Sequence, residues 1–216
     1  MKANHVLVSS VALAMLLPGI AAANILSGGN WDFETPNIPG ASNTVVTYTV
    51  GSTIADWVVI GSGSVNVHHV NENTIWPGNS SQFLDLTGLT GSAGIAWSNI
   101  ATTVGQQYEI SWDAFNGSSV FSSIGPKTND VFTFQAAGGS LIAYDLQPGT
   151  GTTFTYAFTA SSPSTTIAFQ DNTGGDSNAG WVDNVTMLAV PEPGVLSLAG
   201  LAAVLLVGRI GRRRSA

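Results

Sequence analysis

The stretch Gln107-Tyr-Glu-Ile-Ser-Trp-Asp-Ala-Phe-Asn-Gly117 alternates in character residue by residue. On an extended strand Tyr108, Ile110, Trp112 and Ala114 share one face, and Glu109, Ser111, Asp113 and Phe115 share the other. Three large apolar side chains on one face demand a core, and Asn116-Gly117 ends the run with turn formers. The same grammar recurs on both sides. Val45–Val50, Trp57–Ile60, Val65–Val70, Phe83–Leu86 and Ile95–Ile100 precede it, each bounded by Gly, Ser, Thr or Asn. Val131–Gln135, Leu141–Asp145, Phe154–Thr159, Thr165–Phe169 and Trp181–Leu188 follow it. Phe154, Tyr156 and Phe158 fall on one face of their run, and Ile167 and Phe169 on one face of theirs. No segment between residues 24 and 190 holds a helical period. Eleven short strands at close spacing predict an all-β fold, an antiparallel β-sandwich of the jelly-roll kind, with the large residues packed between two sheets.

The charge distribution narrows the partners. Between Asn24 and Val190 twelve acids face a single basic residue, Lys127, a side-chain charge of −11. Such a surface repels phosphate and argues against nucleic acid. It suits divalent cations, neutral sugars, or solubility alone. The chain has no cysteine, which removes disulfides, zinc–thiolate sites and cysteine nucleophiles. Six tryptophans and many Val, Ile and Thr argue against disorder.

Both ends read as addresses. Lys2, the apolar run Val6 to Ile20 and the small residues Ala21-Ala22-Ala23 have the order of a signal peptide over 1–23. A sandwich domain over 24–190 follows. Residues 191–216 then place Pro191-Glu192-Pro193 before an apolar, uncharged run from Gly194 to Gly208, and Arg209, Arg212, Arg213 and Arg214 close the chain. The run reads as a single transmembrane helix, slightly short unless Arg209 snorkels. The arginines should stay on the cytoplasmic side, with the domain outside the inner membrane.

This order resembles the PEP-CTERM sorting tail of Gram-negative bacteria, on Val190-Pro-Glu-Pro-Gly194, the apolar segment and the arginine cluster. The resemblance implies a transient partner, an exosortase-type membrane protease that cuts near the motif. It implies inner-membrane tethering first, then delivery to the envelope, surface or extracellular matrix, in organisms that make exopolysaccharide and biofilm. The central domain also carries a recognisable order of motifs: Gly29-Asn-Trp-Asp-Phe-Glu34, Asp56-Trp57, Val65-Asn-Val-His-His-Val70, Phe83-Leu-Asp-Leu-Thr-Gly88, the 107–117 stretch, and Trp181-Val-Asp-Asn-Val185. It resembles the choice-of-anchor C proteins and, more broadly, the galactose-binding-like jelly rolls that include many carbohydrate-binding modules. Gly29–Glu34 is similar to an opening strand there, although the usual second glycine before Phe33 is missing.

Two sites follow. The resemblance implies a structural calcium ion joining the first strand to the last, with carboxylates from Glu34 and Asp183 and the carbonyl of Asp32. The alternative is that both carboxylates accept hydrogen bonds from backbone N–H groups. Asp171, Asp176 and the Gly174-Gly175 turn read as a solvated acidic loop. The second site is for carbohydrate. Trp76 sits in the polar segment Asn71-Glu-Asn-Thr-Ile-Trp-Pro-Gly-Asn79, where no strand period demands its burial, and a flat ring there could stack on a sugar. His68, Asn71 and Asn73 are the polar groups beside it. The alternative makes Trp76 a plug over the core. Trp57, Trp97 and Trp112 read as core.

Nothing in the sequence assembles catalysis. His68 and His69 are adjacent and point to opposite faces of a strand. No G-x-S-x-G, H-E-x-x-H or phosphate-cradling loop is present, and Gly61-Ser-Gly-Ser and Gly138-Gly-Ser read as hairpin turns. The expected function is that of an exported, non-catalytic surface or matrix module that binds extracellular polysaccharide. The alternatives are a structural matrix protein with no ligand of its own and, more distantly, a glycoside hydrolase built on two of the acids.

Overall fold

A computed structural model describes residues 23–39, 44–69, 82–86, 92–116, 130–146, 151–171 and 180–191. The chain is all-β in these segments. The strands are β1 (Thr44–Thr49), β2 (Thr53–Ile54), β3 (Trp57–Gly61), β4 (Ser64–His69), β5 (Gln82–Asp85), β6 (Ala93–Ala101), β7 (Gln107–Asn116), β8 (Asp130–Ala136), β9 (Ile142–Leu146), β10 (Gly151–Thr159), β11 (Ser164–Asp171) and β12 (Gly180–Ala189). They form two antiparallel sheets of six strands each, ordered β1-β4-β5-β12-β7-β10 (sheet 1) and β2-β3-β6-β11-β8-β9 (sheet 2). All eleven expected runs are strands, and the two-residue β2 is added to them. The signal-peptide segment through residue 22 and the tail from Glu192 onward, with its arginines, lie outside the described residues.

The alternation along β7 is realised as predicted. Ile110, Trp112 and Ala114 are fully buried between the sheets. Trp112 is the hub: its ring stacks on Phe134 at 4.5 Å and meets Tyr144, Phe154 and Phe169 at 5.2, 5.8 and 5.3 Å. A second group surrounds Trp57, which touches Phe33, Trp97 and Phe169. The core thus spans both sheets, and burial of its aromatics is the main stabilising term.

Three local expectations are corrected. Residues 25–33 form turns rather than an opening strand; Phe33 adopts a left-handed φ of 55°, which strand geometry excludes. Gly29 lies so close under Trp97 and Asp56 that a β-carbon there would overlap them. The Gly61–Ser64 turn is a corner between sheets rather than a hairpin, because β3 belongs to sheet 2 and β4 to sheet 1. Gly138-Gly139, by contrast, does join the paired strands β8 and β9. Asp171, expected in a solvated turn, is fully buried at the end of β11.

The turn segment 24–38 nonetheless does a strand's work. Strand β5 is short and pairs with β12 only near Trp181 and Val182. Farther along β12, the open backbone groups are taken by the N-terminal segment. Val185 N–H donates to the Trp31 carbonyl at 2.9 Å, Ile25 N–H to the Met187 carbonyl at 2.8 Å, and Met187 N–H to Asn24 Oδ1 at 3.0 Å. Gln82 locks the segment from the other side. Its side chain is fully buried. Nε2 donates to the carbonyls of Phe33 and Pro36 at 2.7 and 3.1 Å, and Oε1 accepts from Ile38 N–H at 2.6 Å.

Gln82→Glu is therefore expected to be more harmful than its near-identical shape implies. It points an oxygen at two carbonyls and leaves them unsatisfied in the interior. A loss of about 2–4 kcal/mol is expected in urea unfolding. A change under about 0.5 kcal/mol would contradict this account of the segment.

Candidate ligand-binding face

Sheet 1 has two populated faces. One packs on sheet 2. The other, turned away from that core, carries its own band of aromatic and acidic side chains. Register places Thr47 opposite Asn66, Asn66 opposite Asp85, Asp85 opposite Trp181, and Trp181 opposite Phe115, a row that crosses β1, β4, β5, β12 and β7. The neighbouring row contains His68 opposite Phe83, and Asp183 opposite Asp113 opposite Thr153.

The aromatic members of the two rows stack. Phe83 lies 4.2 Å from Trp181, Phe115 5.6 Å from Trp181, and His68 sits nearly parallel to Phe83 at 5.2 Å. All four rings are buried, with Trp181 at 2% exposure and His68 at 7%. His68 Nε2 is 3.2 Å from Asp85 Oδ2, a buried pair at the edge of this stack. A ring stacked on an aromatic neighbour and tied to a carboxylate is held in one orientation.

The polar members lie toward β10. β12 has a register shift between Asp183 and Thr186, and Asn184 takes a left-handed φ of 50° there. Asparagine tolerates that conformation. The kink turns its amide toward β7, where Nδ2 donates to Asp113 Oδ2 at 3.0 Å. The Thr153 hydroxyl donates to Asp113 Oδ1 at 2.6 Å, and Ser111 and Thr186 hydroxyls meet at 2.7 Å. Asp113, Asn184, Ser111 and Thr186 are half-buried and Thr153 is exposed. A carboxylate, an amide and three hydroxyls thus line one ladder on the outer face. Together they offer donors and acceptors of the kind that neutral polyols recognise.

Of the residues expected at a sugar site, one is described. His68 is inside this band. Trp76, Asn71 and Asn73 lie outside the described residues. His68 and His69 do point to opposite faces of β4; Nδ1 of His69 is buried and makes no hydrogen bond among the described residues. Sequence reasoning missed Asp85, Phe83, Trp181 and Asn184 as members of one face. The signal for Asp113 and Phe115 was present in the alternation of the 107–117 stretch.

The residues implied as calcium ligands are engaged in hydrogen bonds of their own. Glu34 Oε1 accepts from Gln82 N–H at 2.7 Å, Asp183 is fully buried with Oδ1 accepting from Asn184 N–H at 2.8 Å, and Asp32 Oδ1 accepts from Glu34 N–H at 3.4 Å. The backbone hydrogen bonds foreseen as the alternative to metal ligation are present at both carboxylates. Among the described residues no three His, Asp or Glu side chains gather as a metal site. A cation here would have to complete its shell with carbonyl oxygens, which calcium accepts.

No protein-family model and no curated protein matches this chain. Solved structures do resemble it. Fisc, a Stig cyclase from Fischerella sp. TAU, is 17% identical with a TM-score of 0.55, and the match covers 75% of this chain and 95% of that one. A further cyclase from Fischerella sp. TAU is 18% identical with a TM-score of 0.53 over the same shares. TmCBM61, solved in complex with beta-1,4-galactotriose, is 12% identical with a TM-score of 0.50, covering 78% of this chain and all of its own. The likeness is one of fold, the jelly-roll sandwich.

If the outer band is a second core in its own right, Trp181→Ala is expected to cost about 3–5 kcal/mol, although the described ring partners of Trp181 all lie in sheet 1, and Trp181→Phe less than half of that. Thermal and urea unfolding of both variants checks it. An alanine variant as stable as the parent would show that the ring contributes no packing energy.

Proposed function

We propose that this chain is an exported, non-catalytic surface or matrix module, sorted through its C-terminal tail by an exosortase-type protease, that binds neutral extracellular polysaccharide on the outer face of sheet 1. The observation that supports this most is the polar ladder of that face: half-buried Asp113, Asn184, Ser111 and Thr186 with exposed Thr153, backed by a buried band of stacked rings that stiffens it. Trp76, Asn71 and Asn73 lie in the sequence between the paired residues His69 and Gln82. In this reading Trp76 supplies the stacking ring. Asp113, Asn184 and Thr153 supply directional hydrogen bonds. The fixed left-handed Asn184 lowers the entropic cost of binding by pre-orienting its amide. An acidic domain with a single lysine favours an uncharged glycan over an anionic one. Glycan binding by TmCBM61 on a similar sandwich is in keeping with this, and the Fischerella cyclases show that the fold also serves enzymes.

The test is retention of the protein on insoluble and soluble neutral polysaccharides. Trp76→Ala is expected to weaken binding by roughly 10- to 100-fold, the range of an aromatic hot spot, with the unfolding curve unchanged. No retention on any polysaccharide would overturn the ligand and leave a purely structural matrix protein. Turnover of a sugar polymer would overturn the non-catalytic part.

The same reading includes a structural calcium ion held by Glu34, Asp183 and the Asp32 carbonyl. With it, chelator is expected to lower the melting temperature by several degrees, and Glu34→Gln to abolish that sensitivity. An unchanged melting temperature, with no calcium in elemental analysis, would remove the ion from the account.

A further inference from the structure

Among the described residues, β1 and β10 stand at the two margins of sheet 1, each paired with a strand on one side only. A marginal strand leaves a row of backbone N–H and C=O groups open to another chain. Proteins usually blunt such margins with very short strands, charges, proline or bulges. Sheet 2 follows that practice. Its margin β2 has two residues, and β9 has five and includes Asp145 in its sequence.

Sheet 1 does not. β1 reads Thr-Val-Val-Thr-Tyr-Thr over 6 residues, and β10 reads Gly-Thr-Thr-Phe-Thr-Tyr-Ala-Phe-Thr over 9. Neither contains a charged residue or a proline, and both pair with their inner neighbours without a register shift. The nearest acids on the β10 side, Glu109 and Asp113, stand one strand inward, on β7.

The strand directions fit the margins to each other. Every neighbouring pair in sheet 1 is antiparallel, so across six strands β1 and β10 run in opposite directions. A second copy placed beside the first along the sheet, turned only by the sheet's own twist, therefore sets its β1 antiparallel to β10. The side chains agree as well. On the face toward sheet 2, Tyr156 of β10 and Val46 and Tyr48 of β1 are only half-buried and pack on the margin of the core. On the outer face, Thr155 and Ala157 would lie beside Val45, 43% exposed, and Thr47. We propose that β10 of one molecule pairs with β1 of the next, so that sheet 1 continues from copy to copy. The partner is a second copy of this chain, and the contact is heterologous and open-ended.

The absence of cysteine makes a direct test available. In the full chain, held in mild detergent, Thr155→Cys is placed in one copy and Val45→Cys or Thr47→Cys in another of different mass. Directly opposite residues of paired antiparallel strands have β-carbons about 4.5–5.5 Å apart, closer at non-hydrogen-bonded positions, near enough for a disulfide to close with a small adjustment. The expected result is a covalent heterodimer in the mixture, well above that formed with Val104→Cys, which at 60% exposure in the turn after β6 reports random collision. Each of the three cysteine variants alone should stay at that background. Chains carrying both cysteines should give a ladder of products. Homodimers of Thr155→Cys alone would overturn the proposal in favour of a two-fold β10 contact. A mixture no more cross-linked than the Val104→Cys control would overturn it outright. Sedimentation of the unmodified chain gives the second readout: larger species as salt screens the like charge of the domains, and none with Thr155→Lys.

Discussion

A carboxamide removed completely from water must find partners for its oxygen and its hydrogens, and Gln82 finds them all in the backbone of residues 33–38. That loop could not hold its left-handed Phe33 and its turns unaided, because irregular backbone laid against a core leaves polar groups to satisfy. Gln82 satisfies them, and so fixes where the N-terminal segment lies. From there the segment reaches both sheets. The Asn30 carbonyl accepts the indole N–H of Trp57 at 2.8 Å in sheet 2, and the Trp31 carbonyl accepts from Val185 in sheet 1. A single uncharged side chain thereby ties the start of the domain, its last strand and the tryptophan cluster into one unit without disulfides.

Sheet 1 is unusual in being asked to pack on both sides. Inward it presents Trp112, and outward Trp181 and Phe115, on strands that pair with each other. The alternation that normally divides wet from dry here divides two dry environments, with the acids interleaved among the outer rings. Asp85 and Asp183 are almost entirely withdrawn from solvent, a placement that costs free energy unless each carboxylate is well hydrogen-bonded. His68, the Asn184 backbone and their neighbours meet that cost, and the result is a stiff surface rather than a fluid one.

How far the sequence carried is clearest from individual residues. The period-two pattern of 107–117 located the core face of β7 and its opposite face, and all eleven runs became strands. Period alone could not say which strands neighbour which, so Phe83, Asp85, Trp181 and Asn184, far apart in sequence, could not be seen as one band. The Gly61–Ser64 turn looked like any hairpin because composition encodes a change of direction and is silent on a change of sheet. Asp171 looked solvated because glycines and asparagine follow it, yet the strand continues through it before they begin. The opening motif was found in the right place with the wrong conformation. Its hydrogen bonds to β12 are those of a pairing element, but Gly28, Gly29 and the φ of Phe33 make it a chain of turns.

The contact of Asn24 with Met187 has a topological consequence. Asn24, near the start of the described sandwich, touches the strand that ends at Ala189, and Val190 is still tied to Gln106 and Gln107. Entry and exit of the polypeptide are therefore next-door neighbours. A circularly permuted gene, with a short loop closing that gap and new ends opened at the Gly138-Gly139 hairpin, should give the same two-layered body. By the same geometry the domain could be spliced into a loop of a host protein as a bead that scarcely stretches its carrier.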